Sequence, residues 1–470
     1  MLAVAALSAG PMAASEPLPR LLVRGATMIT MRAGDEDPFE GYLVVGSDGR
    51  ISAVGRGEPP AGLEAAETLD ASGKIMIPGF VSAHSHLWQS AFRGLGPNEW
   101  VMGWGGSVRT QADFSRPDDF YWFALHGALD HLRHGVTSIY NFSAGGIAFD
   151  PPADQSLAYQ VQQLAGALGS GARILHAWSR PRRLSEPDQR RLLADFLSSS
   201  APSAGNPRLL GFSISGVPSP ASAVALDAAL SRENGFVNET HYLEYPLDVP
   251  AQQAYFANFV ASHALGPSLF FGHFIHTNDA MLEAVGRAGG GMSWQPLSNG
   301  RLASGIADIP RYIRFGLRIG MGLDGQASSD LPDPFGNMRM GLYSIRAKYE
   351  NGSILKPIDV LRFHTIGSAT VMRVDDRVGS LEKGKFADFL LVDTTSVDRG
   401  PVYDPYATLV FSCTSENLEG VYVGGRRVSS YARLTEHDFS VVQREVYERV
   451  ARIRAASGAA RRPPSDVPGR

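Results

Sequence analysis

A chain of 470 residues is long for one simple domain and points to a large domain with something smaller beside it. With 44% apolar and 19% charged residues it can bury a sizeable core, which excludes global disorder, and a net charge of −4 argues against a dedicated nucleic-acid surface. A single cysteine, Cys413, excludes an internal disulfide and a cysteine-based zinc site, and no run of about 18 apolar residues is present to span a membrane.

The first segment, residues 1–19, begins "MLAVAALSAGPMAASEP". A short apolar region followed by small residues resembles a leader with a cleavage site, but the usual basic start is missing. Both a cytoplasmic and a periplasmic or secreted location therefore stay open. Residues 20–77 read as short strands ("LLVRGATMIT", "GYLVVGSDGRISAVG", "KIMIP"), with "SDGR" as a hairpin turn. A matching β pattern returns at 376–432, in "GKFADFLLVDT" and "LEGVYVGGRRV". The two segments predict one small β-sandwich built from both ends of the chain.

Between them, residues 78–375 alternate eight apolar strand-like runs with helical stretches such as "QQAYFANFVASHAL" and "NDAMLEAVGRAG". The fold class is α/β, and eight such units in about 300 residues match a (β/α)₈ TIM barrel. Residues 433–470 hold a helix, "DFSVVQREVYERVARIRAA", and a polar tail expected to be disordered.

In such barrels the chemistry sits at the C-terminal ends of the strands. The first run, "FVSAHSH", ends in His84 and His86, which an extended chain points to one face. The fifth ends in His241, the sixth in His273 and the eighth in Asp324; the second, third, fourth and seventh end in Asn141, His176, Ser215 and Gln295. Each taken singly has a plain structural reading: a core histidine bonded to a carbonyl, or a turn aspartate. Their joint placement at the right strand ends makes a nitrogen and oxygen cage for a divalent metal.

"PGFVSAHSH", "THYLE", "LFFGHFIH", "PLSNGRLASGIADIP", "GMGLDGQASSD" and "GSLEKGKFADFLLVD" together resemble the amidohydrolase superfamily. The cytosine-deaminase-like and S-adenosylhomocysteine/methylthioadenosine-deaminase-like branch is the nearest, with the triazine hydrolases as cousins. The resemblance implies that His84, His86, His241 and Asp324 bind the metal, that His273 faces the reacting group, and that Glu244 matches the catalytic glutamate of the deaminases. Some members bridge two metals with a carboxylated lysine on the fourth strand. The chain has no lysine between 75 and 347, so one ion is expected, Zn²⁺ with Fe²⁺ as the alternative.

Trp88, Gln89 and Arg93 follow the HxH closely enough to contact a substrate. The stretch they open, which also holds Trp100 and Trp104, reads either as a helix packing aromatics on the barrel or as a loop over a flat ring. Nucleoside-deaminating relatives carry a glutamate where this chain has Gly103, which turns the expectation toward a free base, pterin or other small aminated heterocycle; Glu99 is nearby but out of register. Ser298 and Asn299 either bond the substrate or cap their loop. The leading reading is hydrolytic deamination of an aminated N-heterocycle. The alternatives are loss of a halide or alkylamine from a triazine-type ring, opening of a cyclic amide, and a catalytically inactive binding protein. Self-association stays open.

Overall fold

The computed structural model describes residues 19–458 apart from 36, 144–148, 204 and 396–399. The leader, up to residue 18, and the polar tail from residue 459 lie outside the described residues. At "SDGR" the chain reverses as its composition requires: Gly46 N–H donates to Arg50 O, and Gly49 takes φ +77°.

Strands from both segments form one nine-stranded sheet. Leu21–Met28 pairs antiparallel with Phe39–Val45, which pairs with Ile51–Arg56. On its other edge Leu21–Met28 forks, pairing first with Glu67–Asp70 and then with Lys74–Pro78. Gly25 sits at the fork with φ +75°, and a Cβ there would lie 2.5 Å from Ser72 Oγ. Lys74–Pro78 then pairs with Phe389–Asp393, more than 300 residues on, and the sheet continues through Leu418–Val423, Arg426–Ser430 and Arg433–Leu434. The sheet packs around its own core of Val23, Met28, Leu43, Val45, Met76, Phe389 and Leu391.

Only Gly79 separates this sheet from the first barrel strand, Phe80–His86; a Cβ at Gly79 would fall 2.1 Å from Thr137 Oγ1, so no larger residue fits the passage. The parallel strands Val136–Phe142, Arg173–Ser179, Leu209–Gly216, Val237–Tyr242, Leu269–His273, Gly291–Trp294 and Arg318–Met321 follow in sequence order. Closure comes from a two-residue extension, Asp324–Gly325, which pairs with Ser85 and His86, while Leu323 N–H donates to His84 O. The result is the (β/α)₈ barrel with a small sheet domain beside it. One helical run departs from expectation: "QQAYFANFVASHAL" breaks into Val249–Ala254 and Phe256–Ala261.

Two features tie these parts together. Arg173 on the third barrel strand makes a two-pronged bond to Asp388 of the sheet domain, at 2.6 and 2.8 Å, and its guanidinium lies 3.5 Å from the Phe386 ring centre. Both side chains are at most 4% exposed. Asp388→Ala leaves that cation buried and unpaired, so a loss of about 3–5 kcal/mol is expected in urea unfolding. The second feature is the C-terminal helix, Phe439–Ser457. Arg449 and Arg452 on it pair with Asp119, and Val446 and Ile453 join an apolar cluster with Trp88, Trp104 and Phe120.

Candidate active site

The first strand enters the barrel as the apolar run Phe80–Ala83 and delivers His84 and His86 to its mouth. His241 arrives from the fifth strand, level with Gly272 on the sixth. A Cβ on Gly272 would come within 3.2 Å of the His84 ring, so glycine there makes room for the imidazole. His273 and Asp324 both sit in left-handed backbone, at φ +65° and +56°. Such backbone is costly for non-glycine residues, and it clusters where side chains are aimed for function.

These side chains converge. His86 Nε2 lies 3.1 Å from His241 Nε2 and 3.3 Å from Asp324 Oδ1; His84 Nε2 lies 3.6 Å from the same oxygen. His273 Nε2 is 3.7 Å from Glu244 Oε1. Three overlapping trios, His84–His241–His273, His84–His86–Asp324 and Glu244–His273–Asp324, each bring their donor atoms within 4.8 Å of one another. Burial lowers His86 to about 3 and His241 well below its ordinary value, so both offer neutral lone pairs. For His84 burial acts in the same direction, but the Glu239 and Asp324 carboxylates outweigh it and raise the ring to about 10. A cation arriving at His84 Nε2 thus displaces a proton. Burial opposes the Asp324 charge too, yet the surrounding imidazoles hold its carboxyl well below the usual range. Glu244 goes the other way, raised chiefly by burial.

The His86 and His241 nitrogens at 3.1 Å, the Asp324 carboxylate beside them and a buried His84 Nε2 with no hydrogen-bond partner among the described residues fit a divalent cation. The fourth strand, "LLGFSISG", offers no lysine for a second ion.

Beside the cluster opens a cavity of about 420 Å³. Trp88, Trp104, Phe142, Tyr245 and Tyr255 give it aromatic walls; Gln89, Gln252 and Arg182 are polar points on it; Glu244 and Asp324 are the carboxylates that line it. The stretch after the HxH is therefore both things at once. It is helical, as Leu87–Phe92 and Val101–Ala112, it buries Trp88 and Trp104, and it walls the cavity with the same two rings. Trp100 stays 39% exposed. Glu99 accepts from Ser107 Oγ at 2.7 Å and does not line the cavity.

Three expected substrate contacts lie elsewhere. Arg93 follows the Leu87–Phe92 turn, which carries it away from the cavity; its guanidinium bonds Asp130 Oδ2 and Asp330 O, both at 2.6 Å. "PLSNGR" is a one-turn helix, Pro296–Arg301, that stands behind the cluster. From it Ser298 Oγ donates to Asp324 Oδ2 at 2.5 Å, and Asn299 Oδ1 meets His273 Nδ1 at 2.8 Å. Both side chains orient site groups rather than face the cavity. Sequence reasoning missed two residues. Glu239, fully buried and bonded to His84 Nδ1, had a signal: it stands two residues before His241, on the same face of the strand. Arg182 had none, since a loop arginine looks like any other.

The amidohydrolase family model matches residues 75–195 and 223–428. A 5-methylthioadenosine/S-adenosylhomocysteine deaminase of Desulforudis audaxviator is 28% identical over 92% of this chain and 98% of its own length; one from Symbiobacterium thermophilum is 26% identical over 92% and 99%. Among solved structures, an adenosine deaminase from Xanthomonas campestris with bound zinc superposes with a TM-score of 0.81 at 21% identity, covering 93% of this chain and 100% of that one. Atrazine chlorohydrolase from Arthrobacter aurescens, complexed with zinc, gives 0.81 at 22%, covering 92% and 100%. The structural likenesses carry the fold; the family match spans well over half the chain. This chain belongs to the amidohydrolase family and is a hydrolase of carbon–nitrogen bonds.

Proposed function

We propose that the protein is a single-metal deaminase of an aminated N-heterocycle, with His84, His86, His241 and Asp324 holding zinc in preference to iron. The observation that carries this reading is a buried glutamate, Glu244, beside the three-histidine and aspartate cluster on the floor of an aromatic cavity. When bound, the ion supplies Lewis acidity and makes water nucleophilic near neutral pH.

The chain's own groups do the rest. The flat aromatic walls hold a heterocycle and exclude water. Glu244 keeps its proton to higher pH than an ordinary glutamate and gives it to the ring nitrogen beside the amino-bearing carbon. Asp324, ionised and fixed by Ser298, takes one proton from the attacking water and returns it to the departing amine, which leaves as ammonia; the other water proton passes to Glu244 as the carbonyl forms and restores its acid form. His273, its ring set by Asn299, turns Nε2 toward the oxygen charge that develops and stabilises it.

Glycine at 103, and a cavity lined among the described residues by no carboxylate beyond Glu244 and Asp324, speak for a free base or pterin over a nucleoside, whose ribose hydroxyls call for an acceptor. The named relatives act on nucleosides, so both classes belong in the test. Ammonia release is measured across purines, pterins, pyrimidines and their nucleosides with the metal content known. Turnover of at least one aminated ring with ammonia as product is expected. Halide or alkylamine release from triazines, with no ammonia from any ring, would replace this reading with the triazine-hydrolase one.

A further inference from the structure

Every imidazole that gives one nitrogen to a cation must dispose of the other. For His84 that second nitrogen is Nδ1, and it bonds Glu239 Oε1 across the barrel, from the first strand to the fifth. Glu239 is fully buried, and its other oxygen has no hydrogen-bond partner among the described residues. Burying a carboxylate this way costs energy that only a charged or hydrogen-bonding partner offsets, and the partner here is His84. Its seat is also tightly shaped. A Cβ on Gly272 would stand 3.0 Å from Glu239 Oε1 and 3.2 Å from His84 Nδ1; one on Gly322 would stand 2.5 Å from His84 Cβ. Two glycines therefore flank the pair, and a side chain at either position would push the ring and the carboxylate apart. Val237, Glu239 and His241 alternate on one strand, so the fifth strand delivers both a histidine of the cluster and the carboxylate that grips the first strand's histidine.

We propose that Glu239 is a positioning residue for the cation site: by accepting the Nδ1 proton of His84 it fixes the tautomer whose Nε2 lone pair points at Asp324, His86 and His241, and its negative charge strengthens that lone pair. This rests on the metal-site reading above. Glu239 does not line the cavity, and its hydrogen bond into the site goes to His84.

The test is Glu239→Gln, which keeps the shape and removes the charge, with zinc affinity measured by competition against a chromophoric chelator. A 10- to 100-fold loss of affinity is expected, with the KM for substrate of fully loaded protein unchanged and the unfolding midpoint of chelator-stripped protein close to that of stripped wild type. Zinc affinity within twofold of wild type would overturn the role of Glu239. Should the glutamine variant not fold, Glu239→Asp retains the charge but withdraws the oxygen, and it is expected to weaken zinc binding as well; unchanged affinity there overturns the role equally. A wild-type protein that takes up neither zinc nor iron would instead sink the metal-site reading beneath it.

Discussion

Glu244→Gln is expected to lower kcat by about 10²–10⁴-fold while the protein still carries its full complement of metal. The amide fills the same space at the end of the fifth strand, and Glu244 is not one of the four groups assigned to the ion, so the cluster should survive. What is lost is a proton donor. Because burial raises the Glu244 carboxyl, the acid form persists above the usual glutamate range. In the wild type, kcat should accordingly fall as pH rises through that raised value, as the donor ionises; in the variant this alkaline limb should vanish along with the rate. Metal analysis beside steady-state kinetics over a pH series checks both halves. A variant turning over near the wild-type rate removes Glu244 from the chemistry. One that has lost its metal shows that Glu244 holds the ion rather than the proton.

Stripping the cation with a strong chelator is expected to abolish turnover and, separately, to lower stability. A ligand present at a thousand times its Kd stabilises the folded state by about 4 kcal/mol. For a chain of this size that is a fall in the unfolding midpoint of about 4 °C. The structural ground is the packing of imidazole and carboxylate groups at the barrel mouth, where His86 and His241 present nitrogens to each other at 3.1 Å. Restoring one equivalent of zinc should return both rate and midpoint. Full activity in chelator-treated protein shown to be free of metal would end the hydrolytic scheme drawn from this cluster.

Much of this was open to inspection in the chain itself, for reasons that can be named. His84 and His86 are readable because an extended strand shows alternate residues to one face, and an apolar run just before them marks the strand. Asp324 and His273 are readable because barrel strands end where the chemistry is, so position in the alternation stands in for position in space. The two halves of the small sheet are readable from their turns, although their pairing, Lys74–Pro78 with Phe389–Asp393, depends on contacts no local pattern records. Arg93 misled because nearness in sequence was taken for nearness in space: it stands just past the Leu87–Phe92 helix, where its guanidinium meets Asp130 and Asp330. Ser298 and Asn299 were open between bonding the substrate and capping their loop; the structure shows their side chains bonded to Asp324 and His273. Glu239 was overlooked because a buried acid is so rarely expected. Its place in the alternation was as plain as that of His241.

The C-terminal helix gives the cavity an unusual dependence. Val446 and Ile453 share one apolar cluster with Trp88 and Trp104, the rings that wall the substrate space, and Arg449 and Arg452 lock the helix to Asp119. A change of side-chain volume at Val446 or Ile453 is therefore expected to reach the cavity wall through packing, without placing a new atom in the cavity or beside the histidine cluster.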